Sequence, residues 1–462
     1  MKSADKPVAH DMLNGAIEST LKKMTIPMVL GMIALMSFNL IDTLFIGFMG
    51  TEQLAAISFT FPITFTVISL TIGLGIGTSA VVAKVLGKGD NLLAKQHATN
   101  ALIISLIMVA FLCVVGFLTI EPLFRLLGAD ETTLPYIKEY MEIWYIGCCC
   151  LVLPMVGNSV LRASGDTKTP SQIMALGGLI NAVLDPILIF GFGPIPALGM
   201  QGAAIASLIS WAVGTAVILY LLAYSRGLIY RRIPSVSCFV DSAKVILKIG
   251  FPAAGANMLT PIAMAILTAI VAVHGQEAVA AFGVGNRVES IACMVVLALS
   301  MSLPPFISQN LGAGNIDRVK QAYRKTAKFV LIWQLGVFSL LLFLAWPIAV
   351  AFSDDETVIN LICWFIWIMP LGYGAQGIII LTNSSLNALH LPMSALLLSV
   401  LRLFLFYVPF SYLGGLIGGI YGLFVGGVIG NLAMMGVSVY TFNRKLSQVC
   451  AEHSKAELAK QN

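Results

Sequence analysis

The stretch IPMVLGMIALMSFNLIDTLFIGFM, Ile26–Met49, decides the fold. A helix rises about 1.5 Å per residue, so about 20 apolar residues cross a hydrocarbon layer of about 30 Å, and this run is long enough. Its one charged residue is Asp42. An ionised carboxylate at that depth costs about 2.5–3.5 kcal/mol on insertion scales, which marks it as a site for an ion or a cargo rather than a packing residue.

Outward from this segment the pattern repeats. Further apolar runs can be drawn over 55–83, 98–120, 136–160, 171–193, 200–223, 245–273, 278–308, 328–351, 358–386, 393–413 and 416–441, making twelve. With 58% hydrophobic and 11% charged residues the chain is incompatible with a soluble globular domain of its size. The reading is an all-α polytopic membrane protein. The segment before the first span has no uninterrupted apolar core, so no cleavable signal peptide is expected and the first span is its own anchor.

Lys and Arg fix the expected orientation, because short cytoplasmic loops retain them. All but Arg125, Lys138, Arg287 and Arg402 fall on one side: the two termini and the 2/3, 4/5, 6/7 and 8/9 loops. Both termini are therefore expected in the cytoplasm. The formal charge of +5 follows from this bias and suits anionic lipid, so no nucleic-acid partner is expected. Most of the eight cysteines lie inside spans without metal-ligand spacing, and read as packing residues.

Sliding the sequence along itself by 225 residues places Pro27 on Pro252, Gly50 on Gly275, Glu52 on Glu277, and Leu86, Gly87 and Gly89 on Leu311, Gly312 and Gly314. The same register sets Asp130-Glu131-Thr132 on Asp355-Glu356-Thr357, and Asn158 on Asn383. Each repeat holds six spans, an even number, so the expectation is two six-helix bundles related by pseudo-two-fold symmetry along the membrane normal, with a cavity between them. The expected boundaries are a cytoplasmic segment 1–24, a first lobe 25–224, a linker 225–244, a second lobe 245–443 and a cytoplasmic tail 444–462.

The repeat also supplies an internal control. Asp42 maps onto Leu267 and Asn39 onto Met264, and the stretch facing Asp185 is Tyr407, Val408 and Pro409. The second repeat folds without these acids, so they point to a function carried by the first. Asn39 and Asp42 share one face of the first span, and Asn181 and Asp185 one face of the fifth. Two carboxyls in an apolar bundle repel each other and are poorly solvated. A held proton relieves both, as does a Na⁺ ligated by Asp42, Asp185 and Asn181. No structural metal and no cofactor is expected. Pro27 and Pro186 are candidate hinges, because an in-span proline removes one backbone donor and bends the helix. Phe38, Phe61, Phe65, Tyr140, Tyr145, Met174 and Met258 could line a greasy cavity for flat cations, and Arg287, Glu289 and Arg402 are charges at depth that could join it. For the last three the favoured expectation is a structural Glu289–Arg402 ion pair. No nucleophile elbow, zinc-binding motif or phosphate loop is present, so no enzyme is expected, and transport would run on an ion gradient.

Asn39-Leu-Ile-Asp42-Thr-Leu-Phe-Ile-Gly47 with Leu54-Ala-Ala56, then Leu161-Arg-Ala-Ser-Gly-Asp166-Thr-Lys-Thr-Pro170, then Asn181-Ala-Val-Leu-Asp185-Pro-Ile-Leu, set in a doubled six-span layout, resemble the multidrug and toxic compound extrusion (MATE) family. Acids on the first and fifth spans resemble its DinF-like branch. The resemblance implies a monomeric multi-pass protein of the bacterial inner membrane that exports small-molecule drugs and dyes, organic cations and other amphipathic compounds, in exchange for H⁺ or Na⁺ by alternating access. H⁺ is favoured, with Asp42, Asn181 and Asp185 as coupling residues. The alternative is a flippase for lipid-linked sugars or another lipid, which would call for a more basic cavity.

Overall fold

The computed structural model describes residues 9–230 and 234–461. The side chains of residues 9–11, Asn39, Thr51 and 453–461 also lie outside the described residues, as do Lys2, Lys6, Arg231 and Arg232. Every regular element among the described residues is a helix. All twelve expected spans are present. The first six are Ile17–Met49, Thr51–Gly87, Asn91–Leu118, Leu134–Ala163, Lys168–Phe190 and Gly199–Tyr220. The seventh is Val236–Ala272, the eighth Gln276–Ala292 with Met294–Gly312, and the ninth Ile316–Phe352. The tenth is Glu356–Ile368 with Tyr373–Ala388, joined by a tight 3-10 turn, Met369–Gly372. The eleventh begins at Pro392, and the twelfth follows Gly418 and Gly419, where φ −127° and φ 59° open the helix.

In each repeat the duplicated acid accepts from two backbone amides just downstream of it. Asp130 Oδ1 accepts from the Thr132 and Thr133 amides at 3.2 and 2.8 Å. Asp355 Oδ1 accepts from Thr357 and Val358 at 2.7 and 3.2 Å. Asp355 thus caps the helix Glu356–Ile368, satisfying amides that a starting helix leaves without partners, while Asp130 holds the turn that leads into Leu134–Ala163. Gly89 and Gly314, in matching loops, both take the left-handed backbone, at φ 82° and 79°.

The chain divides into two compact units, and the division does not fall in the expected 225–244 linker. One unit holds Ile26–Ala254, the other Asp11–Thr25 with Gly255–Asn462. The first and seventh helices each begin in one unit and end in the other. For the seventh helix the reason is close backbone approach, since a Cβ on Gly73 would lie 2.7 Å from the Ala254 amide nitrogen and one on Gly77 2.5 Å from the Ile246 carbonyl. Small residues four apart let helix backbones meet in a membrane. For the first helix polar anchors decide it. Arg318 donates to the Met12 and Gly15 carbonyls at 3.2 and 2.7 Å, Lys325 pairs with Glu18 at 2.8 Å, and Thr25 Oγ1 meets Ser302 Oγ at 2.7 Å. Hydropathy registers only the bilayer-crossing part of such helices, which is why 17–25 and 236–244 read as flanking segment and linker. The tail 444–462 likewise continues the last helix to Gln461.

Within the second unit, Gly422, Gly426 and Gly430 form a stripe of period four along the twelfth span. A Cβ on Gly426 would lie 2.8 Å from the Phe410 carbonyl carbon, and one on Gly430 2.8 Å from the Phe406 carbonyl oxygen. The eleventh and twelfth spans therefore touch backbone to backbone. Phe365 anchors the core beside them, meeting Phe282 and Phe424 edge to face at 6.0 and 5.1 Å.

Candidate functional site

The fifth span carries the site and is held at its start and on two sides. Its start is fixed by Asp166 in the Leu161–Pro170 motif. Asp166 accepts from the Thr169 amide at 3.0 Å and from the Thr169 hydroxyl at 2.7 Å, and pairs with Arg226 at 2.6 Å. Against the sixth span, Ser210 Oγ donates to the Gly177 carbonyl at 2.6 Å and Asn181 Nδ2 donates to Ser207 Oγ at 3.3 Å. Against the first span, Ser171 Oγ donates to the Pro27 carbonyl, Gly31 faces Ser171, and the Phe38 ring lies over Gly178. The pairs 31 with 171 and 38 with 178 advance together by seven residues, so the two helices run parallel and in register.

Farther along the two helices, at an offset three residues greater, Asp42 comes to Asp185. The two carboxyls lie within hydrogen-bonding reach of each other. Asp185 has no exposed surface, whereas Asp42 is half-buried. Asp185 Oδ1 accepts from Asn181 Nδ2 at 3.2 Å, while Oδ2 is buried with no donor. The neighbour able to supply that donor is the Asp42 carboxyl in its protonated form, since two carboxyls bond to each other only by sharing a proton. One turn farther on, Ile46 and Ile189 close with Ala203 into a buried apolar cluster, and Phe45 meets Phe190 edge to face at 6.3 Å. Tyr140 of the fourth span lies within electrostatic range of both acids. The arrangement can hold a proton or a small cation next to an aromatic wall.

Of the four polar groups expected to converge, Asp42, Asn181 and Asp185 do, while the Asn39 side chain lies outside the described residues. Pro27 and Pro186 sit within helices continuous from Ile17 to Met49 and from Lys168 to Phe190. Phe61 and Phe65 stack at 5.4 Å, with Phe61 exposed. Met174 and Met258 are half-buried. Tyr145 is buried in the first unit's core against Trp144 at 5.7 Å, where the lack of a side chain at Gly116 makes room for its ring.

The expected Glu289–Arg402 ion pair is not formed among the described residues. Glu289 Oε1 instead accepts from Gln376 Nε2 at 2.8 Å, and Arg402 Nε donates to Asn431 Oδ1 at 3.4 Å. The two charges feel each other only at longer range, and Arg287 is exposed. Helical spacing tells which residues share a face and not which helix that face meets, so the amides Gln376 and Asn431 were overlooked. Their signal was available, as polar side chains inside apolar runs. Ser207 was missed in the same way.

The MatE family model matches the chain twice, over residues 27–187 and 252–413, the second match starting 225 residues after the first, as the internal repeat requires. A Shewanella oneidensis protein named FAD transporter is 43% identical over 95% of this chain and 97% of its own length. A Bacillus subtilis protein named probable multidrug resistance protein YpnP is 29% identical over 88% and 90%. Among solved structures, the Vibrio cholerae MATE transporter VcmN in the bent form aligns with a TM-score of 0.89 at 35% identity, covering 96% of this chain and 98% of that one. With two six-span repeats, each matched by the same family model, this chain is a member of the MatE family of multi-pass membrane transporters.

Proposed function

We propose that this transporter is a secondary active exporter that trades an inbound cation for an outbound amphipathic compound at the expense of a transmembrane gradient. The observation that carries the reading is the meeting of Asp42 and Asp185, acids from separate spans, with Asn181 on the second of them. H⁺ is the favoured coupling ion, because a shared proton supplies the donor that Asp185 Oδ2 lacks, and Na⁺ is the competitor for the same oxygens. The protein would sit in a bacterial plasma membrane with both termini cytoplasmic, as a monomer, exposing its cargo site to each side in turn. Cargo leaves when the incoming cation neutralises the pair, because a ligand shifts a conformational equilibrium only through unequal affinity for the two states.

Relatives named for multidrug export favour drugs and dyes as cargo, and the 43% identical relative named FAD transporter favours a flavin nucleotide. The test is efflux from proteoliposomes under separately imposed pH and Na⁺ gradients, with an ethidium-type dye and with FAD. Asp42→Asn should abolish gradient-driven efflux of whichever cargo the unaltered protein moves, with expression intact. Normal efflux by Asp42→Asn would overturn the assignment.

A further inference from the structure

The second unit holds a polar cluster that the coupling pair does not use. Three of its spans depart from regular α-helix around it. The eighth breaks at Cys293, just after Glu289, where Gln334 Nε2 takes up the Ala292 carbonyl at 3.1 Å. The tenth tightens at Met369–Gly372, just before Gln376. The eleventh widens into a π-helical stretch, Leu401–Tyr407, which contains Arg402. Such irregular backbone is uncommon, concentrates at functional sites, and at membrane depth is tolerated where it is buried in protein or lines a cavity.

Arg402 is the under-used member of the cluster. A guanidinium has five N–H donors, and this one spends a single long bond, Nε to Asn431 at 3.4 Å, with its carbon 6.0 Å from the centre of the Tyr407 ring. It has no carboxylate partner, its side chain is only half-buried, and the glycine stripe one residue before Asn431 fixes the helix that positions it. An arginine placed in a span without an ion pair is costly to insert, and its free fork matches phosphate and carboxylate geometry.

We infer that Arg402, held by Asn431 beside the ring of Tyr407, recognises an anionic group on the cargo, a phosphate or carboxylate attached to an aromatic body. This rests on the exporter reading and narrows its cargo from organic cations to anionic amphipaths such as flavin nucleotides. Glu289, occupied by Gln376, supplies the balancing negative charge when no cargo is bound.

The experiment measures equilibrium binding to the full chain in lipid nanodiscs without any gradient, so it does not depend on ion coupling. FMN and riboflavin share the ring system and differ by the phosphate. The protein should bind FMN about tenfold or more tighter than riboflavin, as a charge-assisted bond implies. Arg402→Gln should erase that difference, with Arg402→Lys intermediate. Asn431→Ala, which keeps the charge but frees it, should lower the preference in part, and serves if Arg402→Gln does not fold. No FMN preference in the unaltered protein, or a preference retained by Arg402→Gln, overturns the inference. If neither flavin binds, the flavin cargo falls, and Arg402 is judged by inorganic pyrophosphate alone. Thermal stabilisation of the unaltered protein but not of Arg402→Gln supports the site, and stabilisation of both or neither refutes it.

Discussion

Gly178→Ala tests whether the packing of the first span on the fifth sets the geometry of the acid pair. A Cβ built on Gly178 lies 2.7 Å from Phe38 Cγ and 2.9 Å from Cε2, whereas ordinary contact begins at 3.4 Å. Turning the ring cannot relieve the clash, because Cγ lies on the rotation axis. Even with Cδ2, the nearest ring atom, turned away, the Phe38 ring must retreat by at least about 0.7 Å, the difference between 3.4 and 2.7 Å, carrying with it the helix turn that bears Asp42. Overpacking of this kind costs about 1–3 kcal/mol. Removing the ring instead, with Phe38→Ala, should cost about 2 kcal/mol, roughly half the usual core value because Phe38 is half-buried. The double variant has room for the new methyl group, so it should recover about 1 kcal/mol or more relative to the sum of the single changes. Thermal unfolding in detergent, read alongside gradient-driven efflux, completes the cycle. Gly178→Ala should lose efflux, and Phe38→Ala with Gly178→Ala should regain part of it. Strict additivity in both measurements would refute the reasoning.

His390 takes the left-handed backbone, φ 61°, at the position the repeat matches to Gly165, φ 91°. His390→Gly should therefore melt higher than His390→Ala by a shift equivalent to about 1 kcal/mol, and equal melting temperatures would refute the strain. Asp130, in the loop before the fourth span, is held down at about 2 by the Thr133 hydroxyl, the Thr133 amide and Thr132. Its folded value lies below the ordinary one, so the turn's contribution is present above about pH 4 and is lost as pH falls toward 2. Protection factors of the Thr132 and Thr133 amides, taken against their intrinsic exchange rates at each pH, should fall over that window, and Asp130→Ala should leave both amides unprotected throughout.

The Asp42–Asp185 pair was legible because a carboxylate at membrane depth is costly enough to stand out in a single sequence, and because the second repeat does without it. Asp130 and Asp355 were legible as a repeated match, although only coordinates reveal that Asp355 caps a helix and Asp130 holds the turn leading into one. The partners of Glu289 and Arg402 were not legible, because every face of an apolar helix looks alike until its neighbour is known. Nor was the break at Cys293, where residues of ordinary helix propensity are bent by packing, whereas the tightening at Met369–Gly372 has a local cause in Pro370 and Gly372. The glycine stripe on the twelfth span was visible as a spacing, but its partner backbone at Phe406 and Phe410 was not.

Shifted by 225 residues, 11–25 and 236–250 are the same segment of the two repeats, and each belongs to the other repeat's unit. This is reciprocal arm exchange, the signature of a domain-swapped pair, written into one polypeptide. A lone repeat made as its own chain would carry an arm whose seat lies on a second copy, so its folding would depend on protomer concentration. Joining the copies covalently makes the exchange intramolecular, at the effective concentration a short tether provides. Severing the chain between the sixth and seventh helices would therefore leave two halves, each missing a piece of itself that the other holds.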